Sequence, residues 1–166
     1  MTGLVYITGA SSGIGQALAL QYYRAGWSLA LVARRDAQMR EWAQAQGLDA
    51  ARWRVYAADV SVPESIAAAG RACIAQQGLP QVVIANAGIS IGMDSAYFED
   101  LQVMQQVYAT NNIGLAATFQ PFIEPMCATR CGRLVGIASV AGIRGLPGAG
   151  AYSASKAAAI AYLESL

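Results

Sequence analysis

Five times along this chain a short, apolar, β-branched run gives way to a longer stretch with helical spacing. LVYIT (4–8) leads through a glycine-rich turn into GQALALQYYRAG (15–26), which Gly26 stops. WSLALVA (27–33) leads into DAQMREWAQAQG (36–47), with Asp36 placed to cap the helix and Gly47 to end it. RWRVYAA (52–58) precedes SVPESIAAAGRACIAQQG (61–78), which opens on a serine cap with a proline in its first turn. QVVIANA (81–87) precedes a long helical region over 99–130, and RLVGIAS (133–139) precedes a last helix from about Ala151. Strands that alternate with helices in this way pair in parallel, through right-handed crossovers, with helices on both faces of the sheet. The expected fold is therefore a doubly wound α/β sheet formed by one unit over residues 1–166. The two loose stretches, GISIGMDSAY (88–97) and VAGIRGLPGAG (140–150), follow the C-terminal ends of strands, where such sheets bind ligands.

Composition removes several function classes. The net charge is +1 with scattered arginines, which gives nucleic acid or an anionic membrane no electrostatic purchase. No apolar run reaches the roughly 18 residues of a membrane span, and the start lacks the basic and cleavage regions of a secretory signal, so a cytoplasmic location is expected. Cys73, Cys127 and Cys131 form no CxxC pair, which disfavours a disulfide framework or structural zinc and predicts buried thiols. There is no histidine, so a Ser-His-Asp triad and most catalytic zinc sites are excluded, and no metal ligand set is predicted.

The first strand runs into TGASSGIG (8–15), which sets Gly9, Gly13 and Gly15, with Ser11, Ser12 and Ile14 between them, at a strand-to-helix turn. Glycines there allow a tight turn and close backbone approach, and the amides of the helix N-terminus favour a phosphate. The G-x-x-x-G-x-G spacing, with no Gly-Lys-Ser/Thr after it, fits a dinucleotide pyrophosphate better than a nucleoside triphosphate. At the end of the second strand, where a carboxylate would hold a ribose diol, stands Ala33, followed by Arg34 and Arg35. A guanidinium there pairs with a 2′-phosphate, which favours NADP(H) over NAD.

The chain's single lysine, Lys156, lies four residues after Tyr152, on one face of the expected last helix. A phenol titrates near pH 10 and is a poor proton shuttle at neutrality. An ammonium about 5 Å away, at an effective dielectric near 20, favours the phenolate by about 3 kcal/mol, and a cationic nicotinamide adds to this. The pair makes chemical sense only beside a redox cofactor.

TGASSGIG, ANAG (85–88), Asn111 with Gly114 three residues on, GIASVAG (136–142) and YSASK (152–156) occur in an order and spacing that resembles the classical short-chain dehydrogenase/reductase family, over the whole chain. The resemblance implies a Rossmann-type domain and hydride transfer between NADP(H) and a small carbonyl or alcohol. In it Tyr152 resembles the acid/base, Lys156 the lysine that favours the phenolate and binds the nicotinamide ribose, and Ser139 the serine that hydrogen-bonds the substrate oxygen. Asn111 resembles the asparagine that holds a water in a proton relay to the lysine, a role Asn112 fits less well by spacing. Asp59 and Val60 resemble the pair at the adenine, and Asn86, with Ala87 and Gly88, the segment that steadies the central strands near the cofactor.

Family members continue into further strands and a substrate lid, so the chain is expected to be truncated after the fifth strand and the start of the following helix. The sheet edge beyond RLVGIAS is then expected to face solvent. A homodimer or homotetramer is implied, joined through the 99–130 region and the last helix. Three other readings stay open: a dinucleotide-binding module without chemistry, an inactive fragment, and an isomerase or epimerase, whose usual glycine spacing differs from TGASSGIG.

Overall fold

The computed structural model describes residues 3–166, and in it the first strand, β1 (Leu4–Thr8), is buried at every position. Its side chains alternate between two cores, as the period of a strand requires. Leu4 and Tyr6 join one cluster, Val5 and Ile7 the other. β2 (Ser28–Ala33) and β4 (Val82–Ala85) flank β1 in parallel, β3 (Trp53–Ala57) pairs with β2, and β5 (Arg133–Gly136) pairs with β4. The order β3-β2-β1-β4-β5 reverses direction between β1 and β4, which opens a crevice at the C-terminal ends of these two strands. This is the doubly wound, Rossmann-type sheet that the alternation predicts.

Helices α1 (Gly13–Arg24) and α2 (Asp36–Ala45) cover one face, with Ala19, Met39 and Ala43 against Ile7, Leu29 and Leu31. Helices α3 (Pro63–Gln77), α5 (Gly114–Thr129) and α6 (Gly150–Glu164) cover the other, where Ile66, Phe119 and Phe122 pack on Tyr6, Val32 and Val83. Each fully buried side chain of this size contributes roughly 1.5–3 kcal/mol. Gly70 lets α3 approach α5, because a methyl group there would lie 2.9 Å from Pro121 Cγ. β5 is the least buried strand. It is an edge strand that alternates exposed and half-buried residues, and Val135 is 36% exposed.

The structure departs from the sequence reading at several local points. The 99–130 region is not one α-helix: α4 (Leu101–Tyr108) and α5 are joined by a π turn over Ala109–Ile113. Asp36 lies inside the first turn of α2, its Oδ1 accepting from the Ala37 amide, and Arg35 holds the cap position. Ser61 does not cap α3, because its amide and hydroxyl both donate to Asp59 Oδ1; Val62 occupies the cap and Pro63 the first helical position. Of the cysteines only Cys73 is buried, while Cys127 and Cys131, at the end of α5 where it leaves the core, are exposed.

Candidate active site

The turn after β1 is held by one hydroxyl. Thr8 is fully buried, and its Oγ1 accepts from the amides of Asn86 and Ala87, both at 3.1 Å, and donates to the Ile84 carbonyl. That uses the full capacity of a hydroxyl. Asn86 returns the connection, its Nδ2 donating to the carbonyls of Thr8 and Gly9 at 3.0 and 3.2 Å. The two segments lie so close that a methyl group on Gly9 (φ +64) would sit 2.8 Å from Ala87 Cα, and one on Gly15 would run into the Gly9 carbonyl oxygen. Gly13 (φ +49) differs, since a side chain there would meet nothing within 4 Å. Ser12, the cap of α1, is extended and makes no side-chain cap bond, and no acidic residue occupies the first turn. The positive end of α1 is thus left to whatever lies in front of it.

In front of it is a cleft of about 610 Å³, within the range of small-molecule sites. Gly9 and Ser11 to Ile14 line it at one wall, Asn86, Ala87 and Gly88 at another, and Arg34, Asp59 and Val60 at its far end. Asp59 accepts from the Ser61 hydroxyl at 2.7 Å and the Ser61 amide at 2.9 Å. The hydroxyl bond holds its carboxyl below the usual range; burial opposes this, and the amide bond and the charge of Arg34 add smaller lowering effects. The Val60 backbone meets α5 at Gly114, where a Cβ would run into the Val60 carbonyl oxygen. This accounts for the glycine three residues after Asn111. Arg35 is not brought to the cleft: its Nε donates to Gln38 Oε1 at 2.8 Å, along α2.

The second part of the site gathers on α6. Lys156 is only 6% exposed, and its Nζ donates to the Ile137 carbonyl at 2.7 Å. The same Nζ lies 5.8 Å from the centre of the Tyr152 ring, so the two side chains share one face of α6. Burial lowers the lysine's pKa, which makes its ammonium easier to deprotonate than a solvated one. The cleft is adjacent, since a methyl group on Gly88 would sit 3.6 Å from Lys156 Nζ and 3.3 Å from Asn111 Oδ1.

Ser139 caps a 3-10 turn over Val140–Gly142, its Oγ accepting from the Ala141 amide at 3.2 Å, which leaves the hydroxyl hydrogen uncommitted. That turn rests on α6: a methyl group on Gly142 would lie 2.7 Å from the Lys156 carbonyl carbon. Further along the same loop, Ser153 Oγ accepts from the Leu146 amide at 3.1 Å. The Met93 amide donates to the Gly148 carbonyl, which joins the two loose loops into one rim. On this rim Val140 and Ile143 are 76% and 84% exposed.

Asn111, in the π turn, is buried and fully engaged. Its Oδ1 accepts from the Ile89 amide, and its Nδ2 donates to the Ile89 carbonyl and to Ser155 Oγ, each at 2.9 Å. Both of its side-chain N–H groups are spent on protein. Thr8, Gly142 and Ser155 escaped the sequence reading as site-forming residues, although each lies inside a motif it quotes, while Asn112 stood only as the weaker alternative to Asn111 and Gly114 only as its spacing partner. The signal was present for Thr8, a buried hydroxyl at a strand end, whereas the others depend on which helix packs where.

A family model described as short chain dehydrogenase matches residues 3–166. An uncharacterized oxidoreductase of Myxococcus xanthus is 37% identical over 163 residues, covering 96% of this chain and 63% of that protein. Among solved structures, an alcohol dehydrogenase from the archaeon Thermococcus sibiricus complexed with 5-hydroxy-NADP superposes with a TM-score of 0.88 at 28% identity, over 99% of this chain and 70% of that one. A short chain dehydrogenase/reductase from Burkholderia phymatum in complex with NAD gives 0.87 at 26%, over 99% and 58%. No helix among the described residues is long and apolar enough to cross a membrane.

Proposed function

The chain belongs to the short chain dehydrogenase family, and from that premise we propose that it serves an NADP(H)-dependent oxidoreductase acting on a small carbonyl or alcohol, with Tyr152 as the proton donor and acceptor. The cradle fits a dinucleotide: Gly9 and Gly15 bring the turn and the Asn86 segment backbone to backbone, and the uncapped N-terminus of α1 faces the cleft. When bound, the nicotinamide cofactor supplies the hydride chemistry. The residues of this chain bind, orient and move the proton. Ser139 donates its free hydroxyl hydrogen to the substrate oxygen, and Tyr152 gives that oxygen a proton or takes one from it. Lys156 lends its charge to the phenolate from the same face of α6. Asn111 fixes the Ile89 segment beside the cofactor and anchors α6 through Ser155, and it is the residue to which the resemblance gives the relay water. Arg34, at the far end of the cleft from Lys156, is the group for a 2′-phosphate, and Asp59 and Val60 take the adenine end.

The observation that carries this reading is the buried lysine beside the Tyr152 ring and within reach of the cleft at Gly88. A module that only binds a dinucleotide needs the glycine cradle, but gains nothing from burying a cation against a tyrosine. The exposed Leu101 and Ile113, with Phe98 just before them, give the 99–130 region apolar surface for a homo-oligomer.

The test is NADPH oxidation by the full chain with a panel of carbonyl compounds. Tyr152→Phe is expected to lower turnover by about 10³-fold, within the range for a lost acid/base, with NADPH affinity unchanged within about threefold. Arg34→Ala is expected to weaken NADPH binding about tenfold and leave NADH binding alone. Normal turnover in Tyr152→Phe overturns the role of Tyr152, and equal losses for both cofactors overturn that of Arg34.

A further inference from the structure

Successive side chains on an α-helix point about 100° apart, so two neighbours do not ordinarily reach the same residue across an interface. The π turn over Ala109–Ile113 changes that angle, and Asn111 and Asn112 both reach Ser155. Asn111 Nδ2 donates to the Ser155 hydroxyl and Asn112 Nδ2 to the Ser155 carbonyl, each at 2.9 Å. Ser155 is fully buried, and its hydroxyl donates in turn to the Tyr152 carbonyl at 2.7 Å. It is also the residue immediately before Lys156. One serine is therefore held at both its hydroxyl and its carbonyl by a widened turn of a neighbouring helix. It passes that hold to the backbone of Tyr152 on one side and of Lys156 on the other. A π turn is a rare single-turn insertion in an α-helix, and such turns concentrate at functional sites.

We propose that Ser155, gripped by Asn111 and Asn112, is a positioning residue that sets the rotation and axial place of α6 and so holds the Tyr152 ring and the Lys156 ammonium in register. Asn112 acts in this as a second clamp, distinct from the Asn111 bonds to Ile89. The inference rests on the preceding reading of Tyr152 and Lys156. Without the grip the first turns of α6 have no polar anchor to the π turn, and the lysine can follow its bond to Ile137 away from the tyrosine.

The test measures alcohol oxidation by the full chain as a function of pH, with Tyr152→Phe assayed alongside. Ser155→Ala is expected to lower kcat about 30- to 100-fold, the scale of a small misplacement, with NADP affinity kept within about threefold. Its acid limb is expected to move to higher pH by about one unit, because a displaced ammonium favours the phenolate less. Asn112→Ala, which removes one bond and leaves the buried hydroxyl in place, is expected to shift the limb in the same direction by less. It carries the test alone if Ser155→Ala does not fold. A pH profile unmoved in the folded variants, or a loss of cofactor affinity equal to the loss of kcat, overturns the positioning role. Should Tyr152→Phe remain active, the reading of Tyr152 fails instead, independently of either variant.

Discussion

Around β1 and β4 the site is assembled from main chain, whereas around β5 and α6 it is assembled from side chains. In the first region Gly9 and Gly15 bring backbone against backbone, and the Thr8 and Asn86 side chains bond only to main-chain groups. In the second, a buried lysine, a half-buried tyrosine, two serines and two asparagines set the geometry, and the loop above them exposes apolar residues. The difference separates binding from chemistry. A phosphate is recognised by fixed amides that need not change state, while proton transfer requires groups that titrate and can be tuned by burial and neighbours. At its packed glycines, Gly9 and Gly15, the first region therefore tolerates no added volume, and the second tolerates no altered functional group.

Gly15→Ala presses hardest on this contrast. Its methyl group would run into the Gly9 carbonyl and lie 2.8 Å from Asn86 Nδ2, so the backbone must move. A loss of about 3 kcal/mol or more is expected in chemical denaturation, as for other severe steric conflicts. Gly13→Ala, in open space and penalised only by its φ of +49, should cost about 1–2 kcal/mol. Equal costs at the two positions would break the distinction between packed and open glycines.

Asp59→Ala removes the acceptor for the Ser61 amide and hydroxyl at the far end of the cleft, with an expected loss of about 1 kcal/mol. Because the folded-state pKa lies below the ordinary 3.8, this contribution is present above that value and vanishes as pH falls through the folded one. The denaturation curves of wild type and variant should converge in acid.

Lys156→Met should have the smallest effect on stability. The lysine's folded-state pKa lies below 10.5, so the buried charge costs stability wherever both states are protonated. That cost fades as pH rises from the lowered value towards 10.5. The variant loses this penalty together with the bond to the Ile137 carbonyl, and the two changes offset to within about 1 kcal/mol at pH 7. The alkaline gain of the wild type should be absent from the variant. A large destabilisation would mean that Lys156 holds the fold, and the division between the two regions would blur.

The sheet was legible because β1, β2 and β4 are buried on both faces and so read as unbroken apolar runs. The glycine turn was legible because a positive φ and a close approach leave few alternatives to glycine. The π turn was not. ATNNI contains no glycine or proline to mark a break, and the widening has its visible counterpart in Ser155, 43 residues from Asn112. Arg34 and Arg35 were both offered for the phosphate, and the bond of Arg35 to the nearby Gln38 sets it apart from Arg34, which lines the cleft. The cap positions failed for a related reason, since Ser61 and Asp36 offered the right oxygen but other local donors or acceptors engaged it.

Cys73 lies in the core between α3 and the sheet, and burial pushes its thiol up to about 12, partly offset by Tyr56. Cys127 and Cys131 are exposed. A thiol-reactive dye should therefore modify two cysteines at once and the third only when α3 lifts from the sheet. The slow third increment would then serve as a built-in clock for the opening of that face, and added dinucleotide should slow it if ligand binding tightens the whole layer.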